Sequence, residues 1–168
     1  SIFTTRVVLC KLLKCIYECT EMNIPQKYIF FASSSDIDGT PYGETSLVLK
    51  IAEIIGYENM LIKMHPRDSR DVYEKLGISV MRESSIPWEV IYLVGNFSNK
   101  IMLTVNSGAF ISISALENAP FKGIFLFNMV ETNDHVFKER AKNIENMVYK
   151  LHKIGLCGNI TIAQLKEN

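Results

Sequence analysis

With 168 residues, 48% of them hydrophobic and 21% charged, the chain is long enough for one well-buried domain and too short for two ordinary ones. Lysine plus arginine equal aspartate plus glutamate at 18 each and are dispersed, which excludes the basic stripe that counterion release on nucleic acid requires. No apolar run reaches the roughly 20 residues that span a bilayer and the amino end lacks a signal-peptide layout, so a soluble chain is expected. Cys10, Cys15, Cys19 and Cys157 have neither the paired C-x-x-C spacing of a zinc site nor the density of a disulfide scaffold. They read as reduced, small apolar residues of a cytoplasmic protein.

From Thr4 to Met22 apolar residues (Val7, Val8, Leu12, Leu13, Ile16, Tyr17) recur at mixed helical spacing, and Asn23 and Pro25 supply a stop. The chain opens on Ser rather than Met and runs straight into this segment, which is the pattern of a piece cut from a longer protein. Residues 1–27 are therefore expected to pack between domains or between chains. Tyr28 to Ala32 reads as a short aromatic and branched strand, closed by the serine-rich loop Ser33 to Pro41. Helices are expected at Glu44 to Ile55, Ser69 to Leu76, Pro87 through Ile91, Ala109 to Glu117 and His135 to Leu151. Between them fall strands Met60 to Lys63, Ile78 to Met81, Ile101 to Val105 and Gly123 to Phe127, while the tail after Gly155 carries the weakest pattern. Strands alternating with helices are the signature of β-α-β units. The expected fold is a Rossmann-like doubly wound α/β domain covering residues 1–168, with a mainly parallel sheet and helices on both faces.

In such sheets ligands bind at the carboxyl ends of the strands. Three constellations fall there. His65-Pro66-Arg67 follows the apolar run Leu61-Ile62-Lys63-Met64, delivering an imidazole and a guanidinium to one spot, and Asp68 behind it is positioned to start a helix. Such a site suits a phosphate, although a lone histidine is often a packing or surface residue, and Arg67 is assigned to the surface. Asn106-Ser107-Gly108 joins a strand to a helix. There a hydroxyl and backbone N–H groups can hold an anion, Gly108 permits close approach, and helix capping by Asn106 or Ser107 is a compatible alternative. Asp36-Ile37-Asp38-Gly39 follows the first strand, where carboxylates can act as a base or hold a cation, or merely build a solvated Asp-Gly turn.

Together these motifs resemble those of the bacterial lipooligosaccharide and capsule sialyltransferase family, in the carboxyl-terminal, nucleotide-binding half of its GT-B architecture. Ile37-Asp38-Gly39 falls on that family's acidic-acidic-Gly motif with one acid replaced. His65-Pro66 matches its His-Pro motif, and Asn106-Ser107 or Ser107-Gly108 falls on its Ser-Ser/Thr motif with one hydroxyl kept. Ile86-Pro87-Trp88-Glu89 resembles its Pro-x-acid helix start. The resemblance covers about Tyr28 to Leu151 and rests on order and spacing. It implies transfer of a sugar from a CMP-sugar, CMP-sialic acid in the first place, to a hydroxyl of a surface glycan with inversion. Asp38 would be the general base and His65 would neutralise the departing phosphate. Pro66, Asn106, Ser107 and Gly108 would surround the nucleotide, and Glu89 would hold its ribose. No metal or other cofactor is required by a donor with a single phosphate. The implied partners are the donor, a glycan acceptor and a missing amino-terminal domain or second chain, homo-oligomers included, at the cytoplasmic face of the inner membrane.

Three rival readings compete. Asp36-Ile37-Asp38-Gly39-Thr40 reads like the D-x-D-G-T motif of haloacid-dehalogenase-type phosphohydrolases, with Asp36 as nucleophile and Asp38 as acid/base with magnesium. Three serines separating the strand from Asp36, the want of a convincing acidic pair for the metal, for which Glu131 and Asp134 are the only candidates, and the unexplained His65-Pro66-Arg67 count against it. A metal-dependent glycosyltransferase with a D-x-D clamp lacks enough chain before Asp36. A catalytically silent sugar-nucleotide-binding module fits the half-enzyme length.

Overall fold

The computed structural model describes residues 8, 11–17, 23–35, 37, 42–82, 86–109, 111–116 and 119–165. Six strands, β1 (Tyr28–Phe31), β2 (Met60–Lys63), β3 (Ser79–Met81), β4 (Ile101–Thr104), β5 (Lys122–Phe125) and β6 (Ile160–Ile162), form one sheet in the order β3-β2-β1-β4-β5-β6. Every pairing is parallel. Helices α1 (Glu44–Ile55), α2 (Trp88–Val94), α3 (Ile111–Leu116) and α4 (His135–Lys153) connect them. The chain is a Rossmann-like α/β fold. Strand order reverses beside β1: α1 leads outward to β2, whereas the connection from β3 through α2 returns to β4 on the other side. With right-handed crossovers these two directions put helices on opposite faces, and all four residues of β2 are accordingly buried.

The apolar residues that define the strands make the core. Ile29, Phe30, Met60, Ile62, Met102, Phe125 and Ile160 are each 0% exposed. The amphipathic spacing of α4 turns Phe137, Ile144 and Val148 inward. Asp134 caps that helix, its Oδ1 accepting the Phe137 N–H at 2.9 Å. At the other end of α1, Gly56 adopts φ +89°, where a Cβ would stand 2.6 Å from Glu58 Oε1 and 2.9 Å from Asn59 Nδ2. Residues 11–16 are helical within the expected amino-terminal helix, with Val8, Leu12 and Ile16 exposed.

Two expectations are corrected. Instead of a helix from Ser69 to Leu76 there is only a 3-10 turn at Glu74–Leu76. Asp68 does not start a helix because its Oδ1 takes the N–H only two residues ahead, that of Arg70 at 3.0 Å, a local Asx-type turn. The tail also pairs: Ile160–Ile162 extends the sheet beside β5, in register Gly123↔Ile160 and Phe125↔Ile162. Three residues are too few for a period to show. No described helix is long and apolar enough to cross a membrane.

Candidate functional site

The carboxyl ends of β1, β2 and β4 meet where strand order reverses, the crevice in which open parallel sheets place ligands. Leaving β2, the chain turns at once, with the Asp68 N–H donating to His65 O at 2.9 Å. Pro66 occupies the second position of that turn, for which its ring fixes φ in advance. The Arg67 N–H donates to His65 Nδ1 at 3.3 Å. In the neutral imidazole this leaves the proton on Nε2, at the far side of the ring. Arg67 itself donates from Nη2 to Ser34 Oγ at 3.0 Å and so ties the loop after β2 to the loop after β1.

Behind the turn, a charged strap holds residues 68–82. Arg70 donates to Asp68 from Nε at 2.9 Å and from Nη2 at 2.6 Å. Those bonds hold the Asp68 carboxyl below the ordinary carboxylate range. Arg82 donates from Nη1 to Asp68 O at 3.0 Å and from Nη2 to Arg70 O, while its Nε donates to Glu74 at 2.8 Å.

A cavity of about 210 Å³ opens over this edge, walled by Lys63, His65, Pro66, Trp88, Ser107 and the apolar end of β1 at Phe31. Lys63 is only 9% exposed. Trp88, the first residue of α2, stands edge-on to Phe31 at 4.6 Å between ring centres and to Phe97 at 5.2 Å. Its buried Nε1–H has no hydrogen-bond partner among the described residues.

The corner after β4 is tied to β1. Thr104, 0% exposed, donates from Oγ1 to Phe31 O at 3.0 Å and accepts the Ser107 N–H at 3.0 Å. Ser107 Oγ accepts the Ala109 N–H at 3.3 Å. These bonds correct the expected cradle of unpaired N–H groups, because two of its donors already have partners. Among the described residues the helix that follows runs Ile111–Leu116. Gly108 is exposed, and a Cβ there would meet nothing within 4 Å.

Asn106 and Ser107 face different cavities. Whereas Ser107 lines the one with His65, Asn106 lines a smaller one of about 100 Å³ with Ser33, Ser35, Tyr42, Asp134 and Arg140. Its wall is a chain of hydroxyls ending on a buried carboxylate. Ser33 Oγ lies 2.9 Å from Ser35 Oγ and 2.6 Å from Tyr42 Oη. Tyr42 donates to Glu44 Oε2 at 2.9 Å, and Glu44 Oε1 accepts the Ser33 N–H at 2.8 Å. Glu44 is 3% exposed. Burial and then the Glu44 charge raise the Tyr42 pKa far above that of an ordinary tyrosine.

The structure thus brings His65, Pro66 and Ser107 together and separates Asn106 from them. Glu89 lies outside the walls of both cavities, on the exposed side of α2, accepting from Ser112 Oγ at 3.3 Å. Asp36, Asp38, Gly39 and Thr40 lie outside the described residues. Lys63, Trp88 and Tyr42 were not foreseen as parts of these cavities, nor Glu44 as the buried acceptor behind Tyr42. For Lys63 a signal existed: Lys63 and His65 are two apart at a strand end, the spacing that places side chains on one face. The chain matches no family model, no curated protein and no solved structure.

Proposed function

We propose that this chain is the donor-nucleotide half of a glycosyltransferase that uses a CMP-sugar, CMP-sialic acid in the first place. The observation that carries the reading is the shared wall of the 210 Å³ cavity, to which His65-Pro66, Ser107 and the Pro87-Trp88 helix start all contribute. These are three of the four motifs by which the sequence resembles the bacterial sialyltransferases, and they are far apart in the chain.

In this reading the CMP phosphate sits against His65 Nε2–H and the buried Lys63 ammonium. Both groups gain as negative charge collects on the departing phosphate, an interaction worth more in the transition state than in the ground state. The apolar surroundings of Phe31 and Trp88 strengthen that attraction by lowering the local dielectric. Asp38 takes the proton of the acceptor hydroxyl as it attacks the anomeric carbon from the face opposite CMP. Glu89, one residue beyond the wall, reaches the ribose hydroxyls by releasing Ser112.

The test is calorimetry with CMP, without magnesium, alongside a transfer assay on the full-length protein. Glu89→Ala should weaken CMP binding by about 1–3 kcal/mol, the cost of unpaired polar groups. His65→Ala should chiefly lower turnover, by about 10²-fold or more. Wild-type affinity and turnover in both variants would refute the reading, as would stabilisation by phosphate analogues only when magnesium is present.

A further inference from the structure

We infer that the smaller cavity is a hydroxyl-recognition subsite for a sugar, distinct from the anion-binding cavity beside it. The inference rests on the glycosyltransferase reading for the identity of the sugar, but its geometry is independent of CMP.

Hydrogen counting defines the chemistry. A hydroxyl carries one hydrogen and can accept more than one bond. Tyr42 gives its hydrogen to Glu44 Oε2. Ser33 Oγ, 2.6 Å from Tyr42 Oη, donates to Ser35 Oγ at 2.9 Å, so the three hydroxyls and the Glu44 carboxylate form one connected network in which each bond polarises the next. The raised pKa of Tyr42 keeps its hydrogen in place throughout the physiological range. Asn106 Oδ1 makes only a long 3.4 Å contact with the Tyr42 hydroxyl and, with two lone pairs, keeps capacity to accept from a ligand.

What the wall offers a ligand is thus mainly lone pairs, from Ser35 Oγ, Asn106 Oδ1 and the Asp134 carboxylate, with Arg140 as the cationic donor. Two carboxylates, Glu44 and Asp134, oppose a phosphate here. A neutral group rich in O–H donors is favoured, and Phe137 adds an apolar surface for its C–H side. At about 100 Å³ the cavity has the volume of roughly three waters. Vicinal hydroxyls on a sugar ring edge or on a short polyol chain fill that space. Because Asn106 and Ser107 are consecutive, a sugar held here lies next to a phosphate held at His65.

The experiment compares the full-length protein with its Ser35→Ala and Arg140→Met variants. Calorimetry gives the affinity ratio of CMP-N-acetylneuraminate to CMP. Saturation-transfer NMR detects free N-acetylneuraminate and lactose, which separates donor sugar from acceptor sugar. Both variants should reduce the affinity ratio about tenfold while leaving CMP within twofold of wild type, and both should lose the free-sugar signal. Unchanged ratios, or an equal loss for CMP and CMP-sugar, would overturn the inference, as would a wild type that gains nothing from the sugar and binds neither free sugar. If CMP fails to bind but the free-sugar signal is present and lost in the variants, the subsite stands and the CMP reading falls. Arg140 is exposed on α4, so that variant keeps the test valid if Ser35→Ala melts early.

Discussion

Asp68→Ala should unfasten the strap behind His65. The Asp68 side chain is 1% exposed and that of its partner Arg70 is 38% exposed. The substitution removes three acceptor contacts at once: to the Arg70 N–H, Nε and Nη2. Freed, the guanidinium regains water, so its two bonds are discounted toward the value of a surface pair, up to about 1 kcal/mol. The part-buried backbone N–H is costlier to orphan, at about 1–3 kcal/mol. A total near 3 kcal/mol corresponds to a fall in Tm of about 6–12 °C for a chain of this size. Asn retains an oxygen for the backbone N–H and should lose about half as much. The pH dependence has a definite sign. Because folding lowers the Asp68 pKa from 3.8, its contribution is present above that value and lost as pH falls through the folded pKa. Thermal melts at pH 7, 5 and 3 should therefore show the gap between wild type and Asp68→Ala constant over the first two and narrowing at the third. A gap below about 1 °C at pH 7, or one that widens at pH 3, would refute the account.

Tyr42→Phe should remove a component of alkaline unfolding. A phenol whose pKa is raised in the folded state stabilises fully below the unfolded value of 10.0 and loses that contribution as pH rises beyond it, so the variant's stability should fall less steeply above pH 10. Glu44→Ala leaves the Ser33 N–H and the Tyr42 hydroxyl without their acceptor and should cost about 3–5 kcal/mol in urea unfolding. Gly56→Ala, at φ +89° and ψ 131°, outside the left-handed helical region, should cost more than Gly77→Ala, at φ +79° and ψ 13° with open space around it. The second should stay near the roughly 1–2 kcal/mol of a left-handed residue. Trp88 is the sole tryptophan, so CMP entering its cavity should change its emission; none at saturating CMP would place the nucleotide elsewhere.

How far the sequence could be read depended on the length of the signal. Met60–Lys63 and Glu44–Ile55 have the bounds expected from their patterns, since a buried parallel strand and an amphipathic helix each leave a period long enough to see. The order of strands made the shared edge of His65 and Ser107 legible, because parallel strand ends share a side. What escaped were features fixed by contacts distant in the chain. Ile160–Ile162 gains its identity from β5, 35 or more residues upstream. Ser69 to Leu76 has helical composition, but Asp68, Arg70 and Arg82 close it into a strap instead. Glu44 looked like an ordinary charge in a helix's first turn, and nothing local announces that Tyr42 and Ser33 bury it. Asn106 and Ser107 read as one motif, yet a backbone corner sends consecutive side chains to separate cavities.

The Thr104 hydroxyl, bonded on one side to Phe31 O and on the other to the Ser107 N–H, has a consequence measurable in time rather than in space. Loop amides ordinarily exchange with solvent deuterium through small, frequent openings, whereas strand amides wait for rarer ones. The Ser107 amide belongs to a loop by its position and to the sheet by its bond, so its hydrogen should persist with the slow lifetimes of Leu103 and Thr104. The corner is set before any ligand arrives, and binding there draws little on the entropy of ordering a loop.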